Sequence, residues 1–410
     1  MRYRIGVTAQ DPVAEEDVES DRIVDAALDI IARGGLARLT LRPLAAQLGV
    51  SVAVISARMG SKDQLIDRAI DVAAQRDQRF GERWCDLAAR IAPTDSATRA
   101  ALADLAFRDW MTAGRRNVVF LIELVHDRAL QDAASAALDR WLAQAGMVWS
   151  RLLFGTPALA DLALGYMLDE ASFALGAGDD PAYTLLRTLC LQRLTHGFAR
   201  GGADGAAIER LIAALAPEPL PIARDDDPKR QRIADSAARI IVSQGMEATT
   251  HRSVALAADV PASTVVYHFG GRAALVVAGL HAVIARFHGT RARARAEGRL
   301  PADDAETRDL VKATSMIALA SVRETSLQPY ATDMRRRRGE NIRATDLAAL
   351  GFGPAAAAGF DRATAQVISI ALFGMRMVAM ARKRPERAQY RAAFAAFDAW
   401  DVARTDPGLS

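Results

Sequence analysis

The stretch RIVDAALDIIARGGLARLTLRPLAAQLGVSVAVISARMGSKDQL occupies residues 22–65. It returns in altered form as RIADSAARIIVSQGMEATTHRSVALAADVPASTVVYHFGGRAAL at residues 232–275. The two copies align without a gap, and the identical residues fall mainly at apolar, glycine and arginine positions. Such a pattern indicates one preserved structural module that occurs twice in the chain.

Each copy begins with apolar residues at helical spacing. Ile23, Ala27 and Ile31 stand on successive turns, and the corresponding positions of the second copy are also apolar. This spacing predicts one buried stripe on a first helix. Gly35 and Gly245 then stand where a left-handed residue ends a helix.

Two shorter helices are predicted after each glycine. Thr40 and Thr250 are placed to cap the second helix, and Ser51 and Ser263 to cap the third. Two short helices joined by three or four residues form a helix-turn-helix. In this arrangement the second helix enters the major groove of DNA and the first crosses the backbone. Each copy is therefore predicted to be a DNA reader.

The second copy resembles the N-terminal domain of TetR-type repressors. Members of that family close the recognition helix with a Tyr-x-His-Phe-type cluster followed by a lysine and a leucine. Here the cluster corresponds to Tyr267, His268 and Phe269, with Arg272 in place of the lysine and Leu275 after it. The resemblance implies a DNA-binding regulator with a helical ligand domain after the reader.

The first copy departs from the family pattern at one place. It keeps Ser51 and Lys62 but has Ala57, Arg58 and Met59 where the aromatic cluster is expected. The resemblance is specific over about 45 residues in each copy. Beyond them it concerns architecture alone.

The chain of 410 residues is 51% hydrophobic, which is enough for two cores, and abundant Ala, Leu and Arg favour an all-α fold. We expect two tandem units, each with a three-helix reader and a helical ligand or dimerisation domain. The predicted divisions are an acidic flexible arm (1–20), the first reader (21–67), its ligand-type domain (68–203), a helix with a proline-rich linker (204–228), the second reader (229–275) and its ligand-type domain (276–405).

Both recognition helices carry small side chains, so readout is expected to use thymine methyl contacts and hydroxyl bonds. Because the two sets of side chains differ, the double-stranded DNA operator should be non-palindromic. The candidate DNA-binding residues are Thr40, Arg42, Ser51, Val52, Ala53, Ser56, Arg58, Lys62, Thr250, Arg252, Ala262, Ser263, Thr264, Tyr267, His268 and Arg272. Among these, Arg42, Arg58, Lys62, Arg252, Tyr267, His268 and Arg272 are expected mainly to hold phosphates.

Four of the five tryptophans lie in the first ligand-type domain. With neighbouring apolar residues they could line a cavity for a small apolar effector, and ordinary core packing is the alternative. The candidate pocket residues are Trp84, Trp110, Met111, Phe120, Trp141, Met147 and Trp149. No cofactor and no metal are expected, because the histidines lack partners at metal-ligand spacing.

Each unit ends in two strongly apolar helical stretches. In the resembled family this last pair forms a four-helix bundle between two subunits. Gly165 and Gly374 lie midway along such stretches and permit close approach of two backbones. We expect the bundle to form within one chain, as a pseudo-dimer, and further self-association is possible; core packing inside each unit is the alternative. Pro217, Pro219 and Pro221 suit an extended linker between the units.

Other patterns favour a cytoplasmic protein. Cys85 and Cys190 are far apart and are expected as free thiols. No apolar run reaches the ~18 residues that span a bilayer. The arginine run at residues 335–338 is read as a solvated helix face. No nucleophile or phosphate-loop motif points to an enzyme.

The sequence thus predicts a transcriptional regulator, a repressor released from its operator by an effector. The alternative is a ligand-binding or scaffold protein with a vestigial first reader, which binds DNA through the second unit after two chains pair.

Overall fold

The computed structural model describes residues 12–130, 135–178, 180–200, 205–215, 226–296 and 305–405. These ranges contain helices and no strand. The helices of the first half are α1 (Pro12–Gly34), α2 (Leu41–Leu48), α3 (Val52–Met59), α4 (Lys62–Ile91), α5 (Ser96–Thr112), α6 (Arg115–Leu130), α7 (Ala136–Phe154), α8 (Ala160–Ala177), α9 (Pro181–His196) and α10 (Gly205–Ala214). Those of the second half are α11 (Pro228–Gln244), α12 (His251–Ala258), α13 (Ala262–Phe269), α14 (Arg272–Ala296), α15 (Ala305–Ser321), α16 (Gln328–Arg336), α17 (Leu347–Leu350), α18 (Pro354–Ala358), α19 (Arg362–Ala381) and α20 (Glu386–Thr405). The all-α prediction with two tandem units is confirmed.

Two predicted connecting segments need comment. The stretch assigned to an acidic arm, 1–20, is helical from Pro12 onward, so its last nine residues extend α1. Proline suits the first position of a helix because its ring presets φ and its missing N–H would have no partner there. The linker prolines Pro217, Pro219 and Pro221 lie outside the described residues.

The two halves pack on each other through helices at the end of each unit. α8 of the first half crosses α19 of the second, α9 also contacts α19, and α20 contacts α8. At the crossing, Gly165 of α8 faces Gly374 of α19. A Cβ added to Gly374 would overlap the carbonyl oxygen of Gly165, and one added to Gly165 would lie 2.7 Å from the Ala371 oxygen. The two backbones therefore touch directly, as the positions of these glycines predict.

Buried ion pairs reinforce this contact. Arg335 of α16 donates to Glu170 of α8 at 2.9 and 3.2 Å, and both side chains are fully buried. One turn away, Arg338 donates to Asp169 at 2.9 and 3.1 Å. Removing one partner of such a pair leaves an uncompensated buried charge, which is strongly destabilising. The interpretation of residues 335–338 as a solvated face is therefore wrong, because Arg335 and Arg338 are buried against two adjacent carboxylates of α8.

A second group of polar bonds joins the halves near the ends of α9 and α20. Arg193 donates to the Thr364 hydroxyl at 2.8 Å and to the carbonyl oxygen of Gly359 at 2.6 Å. The carboxylate of Asp401, on α20, accepts the backbone N–H groups of Phe198 and Ala199. Direction-dependent bonds of this kind fix the register of the two halves in addition to their apolar contact.

α19 by itself is long and apolar enough to cross a membrane, with a mean hydropathy of 1.5 over its apolar window. The expectation that no stretch reaches this length is corrected. However, 89% of that window is buried inside the protein. A helix that is apolar on all sides suits the centre of a large helical core, and α19 occupies that position against α8, α9 and α6.

The glycine contact can be tested by adding one methyl group. Gly374→Ala should lower the midpoint of thermal unfolding, because overpacking a close contact typically costs ~1–3 kcal/mol. Gly289→Ala is a matched control in α14, where an added Cβ meets nothing within 4 Å. The control should keep or slightly raise the midpoint, since alanine favours helix. Equal midpoints for the two variants would contradict the direct backbone contact.

Candidate nucleic-acid interface and aromatic cavity

The first reader is formed by α1, α2 and α3. Gly49 ends α2 in the left-handed conformation, with φ 69° and ψ 28°. Ser51 then caps α3 by accepting the Val54 N–H at 3.4 Å, as predicted. Ile55 and Met59 are buried against the rest of the reader. The opposite side of α3, with Val52, Ala53, Ser56 and Arg58, faces solvent.

The second reader has the same helices with different caps. Thr250 caps α12 in a reciprocal pair with Ser253, in which each side chain accepts the other residue's backbone N–H, at 3.1 and 3.0 Å. Asp259 ends α12 with φ 53°, the conformation that glycine supplies in the first copy. α13 then begins directly after Pro261, which has no side-chain cap. The prediction that Ser263 caps this helix is wrong, because the proline starts the helix before it.

The exposed faces of the two recognition helices are unequal. Tyr267 of α13 is 85% exposed and Val266 is 47% exposed, whereas Val52 and Val54 of α3 are 37% and 41% exposed. Leu256 of α12, whose side chain is wholly apolar, is also 85% exposed. The second reader therefore presents a larger apolar and aromatic surface, while the first presents small side chains.

The remaining predicted contact residues divide into two groups. Those that face solvent are Arg42, Arg252, Ala262 and Ser263, and Lys62 and Thr264 are half-buried. Arg272 instead donates to the carbonyl oxygens of Met246 and Thr249, at 2.7 and 3.2 Å. His268 lies 3.6 Å from the carboxylate of Asp227 and is mostly covered. In this structure these last two side chains make contacts within the second reader, and their expected role at phosphates stays a prediction.

Glu123 of α6 ties the first reader to both halves of the chain. Its carboxylate accepts the N–H of Leu36, in the turn after α1, at 3.2 Å. It also pairs at 2.5 Å with Arg323, which follows α15 in the second half and donates to the carbonyl oxygen of Ile31 at 3.2 Å. These bonds hold the end of α1 against the place where the two halves meet.

The aromatic residues of the first unit form a packed cluster. Trp110 and Trp149 meet edge to face at 5.2 Å between ring centroids, and Phe80 lies 6.0 Å from Trp149. Of the seven residues predicted as an effector pocket, Trp110, Trp141 and Trp149 line a cavity of about 10 Å³. That volume suffices for about one water molecule. The effector pocket stays a prediction, and it would require the cluster to open.

The other four candidate pocket residues do not line this cavity. Phe120 is buried beside Trp141, and Met111 is also buried. Trp84 is half-buried and donates its indole N–H to Asp109 at 2.8 Å. Met147 is 43% exposed. Sequence reasoning missed other lining residues, Asp77, Phe80, Gln144 and Val148. Asp77 could have been found, because it follows Ala69 and Ala73 at helical spacing and a buried indole requires an acceptor.

Asp77 is the ionisable group among the residues that line the cavity. It accepts the indole N–H of Trp141 at 2.9 Å. Burial of the carboxyl raises its pKa to about 6, and the N–H groups of Trp141, Asn117 and Trp110 oppose that rise only in part. The cavity therefore contains a carboxylate whose charge changes close to neutral pH.

The two threonines provide a matched pair of variants, because Thr250 caps α12 with its side chain, whereas the prediction that the Thr40 side chain caps α2 is wrong. Thr250→Ala should destabilise the second reader by about 1 kcal/mol, the usual cost of losing an N-cap. Thr40→Ala should have little effect, because Thr40 occupies the same position without a side-chain cap bond. Hydrogen exchange of the first-turn amides of α12 and α2 measures both. Equal acceleration in the two readers would contradict the difference in capping.

Titration of Asp77 should be visible in tryptophan emission. As pH falls from 7 to 5, its carboxyl takes up a proton and the bond to Trp141 weakens, so emission should change with a midpoint near 6. The pKa of Asp77 in the folded protein exceeds the ordinary 3.8, so the folded protein binds this proton at a higher pH than the unfolded chain does. The free energy of unfolding should therefore rise as pH falls through the folded pKa, because the destabilising buried charge is lost.

Asp77→Asn should abolish this transition. Asp109→Asn, which removes the charge from the acceptor of Trp84 instead, should leave it in place. A transition that persists in Asp77→Asn would assign the titration to another group.

Comparison with known proteins identifies both readers. A family model for bacterial regulatory proteins of the TetR family matches the chain at residues 23–69 and again at 233–278. No curated protein matched the chain. The two segments cover the second half of α1 with α2 and α3, and most of α11 with α12 and α13, each with the start of the following long helix. The chain therefore carries two tandem TetR-like units, each with the DNA-binding domain of a family of bacterial transcription regulators.

Proposed function

We propose that this protein is a transcriptional repressor that binds one operator with both readers and leaves the DNA when a small molecule binds. The observation that carries this proposal is the crossing of α8 and α19. In TetR-type regulators the corresponding helices are expected to bind a second subunit. Here that face of each unit is covered by the other half of the same chain.

The chain accordingly acts as a covalent pseudo-dimer. Two readers on one polypeptide satisfy the requirement for two half-sites, which lie about 34–36 Å apart for one helical turn of DNA. Buried pairs such as Arg335 with Glu170 hold the halves in one arrangement, so the spacing of the readers is preset. Other surfaces remain open to further self-association.

The two readers are expected to recognise different half-sites. α3 offers Val52, Ala53 and Ser56, whereas α13 offers Ala262, Ser263 and Val266. A two-fold symmetric operator mirrors identical readers. Unequal readers therefore favour a non-palindromic operator, with thymine methyl contacts prominent in both halves.

Release of the DNA is proposed to act through α4. This helix begins at the first reader and continues for 30 residues into the ligand-type domain. It is joined to α1 by the pair of Arg76 with Asp25 at 2.7 Å, and α6 is joined to α1 by Arg116 with Asp29 at 3.0 Å. An effector that shifts α4 thus shifts the reader. A coupling of ~1–3 kcal/mol would lower operator affinity about 5–150-fold.

The alternative function is a ligand-binding or scaffold protein whose first reader is vestigial. The first copy has Ala57 at the position that corresponds to Tyr267 in the second copy, and this lack of an aromatic side chain favours the alternative. Against it stands Glu123, which together with Arg323 holds the end of α1 in a fixed position. A cytoplasmic, non-enzymatic role accompanies either function.

Stoichiometry on DNA distinguishes the two functions. The mass of the complex with the operator should correspond to one chain per site. Two chains per site, with a footprint from the second reader only, would support the alternative.

Operators made symmetrical toward either half should bind more weakly than the natural site, by ~1–3 kcal/mol for each base pair that no longer matches its reader. The matched control is the whole natural site inserted in the reverse orientation relative to its flanking DNA, and it should bind normally. If both symmetrical versions bind one chain as tightly as the natural site, the readers do not differ in specificity.

A further inference from the structure

A groove of about 460 Å³ lies on the first unit, where the ends of α4 and α7 meet the start of α5. Its size falls within the usual range of ligand sites, roughly 300–1,000 Å³. Its apolar lining includes Ala88, Ala89 and Pro157, and the thiol of Cys85 lies among them. Two arginines, Arg99 and Arg151, complete it. The groove is far larger than the cavity in the tryptophan cluster.

Neither arginine forms an ion pair with another residue that the structure describes. Among the described residues, no carboxylate lies within ion-pair distance of Arg151, which is exposed. Arg99 donates to the carbonyl oxygen of Pro93 at 2.9 Å, and its guanidinium lies beside Gly155. Asp95 attracts Arg99, but its oxygens accept the N–H and hydroxyl of Thr98, at 2.7 and 2.8 Å.

Other arginines of the first unit do form ion pairs with carboxylates. Arg187 pairs with Asp104 at 3.1 Å, and Arg83 pairs with Asp109 at 2.5 Å. A half-buried guanidinium whose strongest protein contact is a carbonyl oxygen retains donors for an anion. Guanidinium groups bind carboxylates through paired, charge-assisted hydrogen bonds.

We infer that the groove of Arg99 and Arg151 binds a small organic acid, with its carboxylate at the two arginines and its apolar tail against Cys85 and the alanines. An aliphatic tail suits the lining, because methyl and proline groups offer apolar contact without hydrogen-bond partners. The combination of one charged end and one apolar wall selects against both inorganic anions and neutral hydrocarbons.

The groove is well placed to influence DNA binding. α4, which forms one wall, begins at the first reader. α7, which forms another, ends at Phe154, whose ring packs edge to face on Trp400 of α20 at 5.0 Å. A ligand between α4 and α7 therefore contacts both the long helix that follows the first reader and a helix joined to the second half. The role of this acid as the effector rests on the proposed function, whereas its binding does not.

Labelling of Cys85 provides a direct test of binding. The chain has two cysteines, and Cys190 is buried, so Cys85 is the accessible thiol and Cys190 an internal control. Octanoate should slow the reaction of Cys85 with N-ethylmaleimide, and the effect should saturate as the octanoate concentration rises. Mass spectrometry measures the extent of labelling at each cysteine. 1-Octanol, which has the same chain length without the charge, should protect much less.

Arg151→Gln should weaken protection by octanoate about tenfold, the factor that corresponds to ~1.4 kcal/mol. Because Arg151 is exposed and forms no ion pair within the described part of the chain, this variant should fold normally. Arg90→Gln removes the same charge from the exposed side of α4, outside the groove lining, and should leave protection unchanged. Equal protection by octanoate and octanol, equal protection in the two variants, or no protection up to the solubility limit of octanoate would each overturn the site.

A second measurement separates binding from regulation. Octanoate should lower operator affinity of the wild-type protein and have a much smaller effect on Arg151→Gln. Protection of Cys85 without any change in operator affinity would overturn the effector role and leave the binding site standing. Failure of the ligand-free chain to bind an operator as a single copy would count against the proposed function alone.

Discussion

The approach of two glycines, one on α8 and one on α19, determines how the rest of the molecule is arranged. With no side chain at Gly165 or Gly374, the two backbones meet, and the flanking residues of both helices become buried. This proximity brings Glu170 within reach of Arg335 from the second half. The charges then make the contact specific, because a shift of α8 along the second half would leave buried ions without partners.

The two units contribute unequally to this arrangement. Four long helices, α4 to α7, surround the aromatic cluster in the first unit. In the corresponding part of the second unit, α16, α17 and α18 are short and are interrupted by turns. Part of this region supplies Arg335 and Arg338 to the carboxylates of α8. The second unit thus stabilises the first through these ion pairs, and the first unit has the larger continuous helical domain.

The sequence was sufficient to predict the readers, because their folds depend on local signals. Ile23, Gly49 and Ser51 act within a few residues of their positions, through helical spacing, backbone conformation and capping. The burial of Arg335 could not be predicted in this way, since its partner lies 165 residues earlier in the chain. The helix start at Pro261 shows a smaller limit, because proline and Ser263 offered competing first positions.

The candidate sites show the same division. Exposure of Tyr267 and of the small residues on α3 follows from amphipathic spacing. Tryptophan content pointed to a cavity in the first unit, but composition does not report how tightly rings pack. The groove at Arg99 arises where the ends of three helices meet, and only the folded chain brings those ends together.

Joining the two halves in one polypeptide also changes how the protein responds to its own abundance. A regulator assembled from separate subunits loses its DNA-binding form on dilution, because dimer formation depends on the square of the subunit concentration. Here the second half is present at a high effective concentration fixed by the chain itself. Under the proposed function, occupancy of an operator should then rise in proportion to copy number while most operator sites are free.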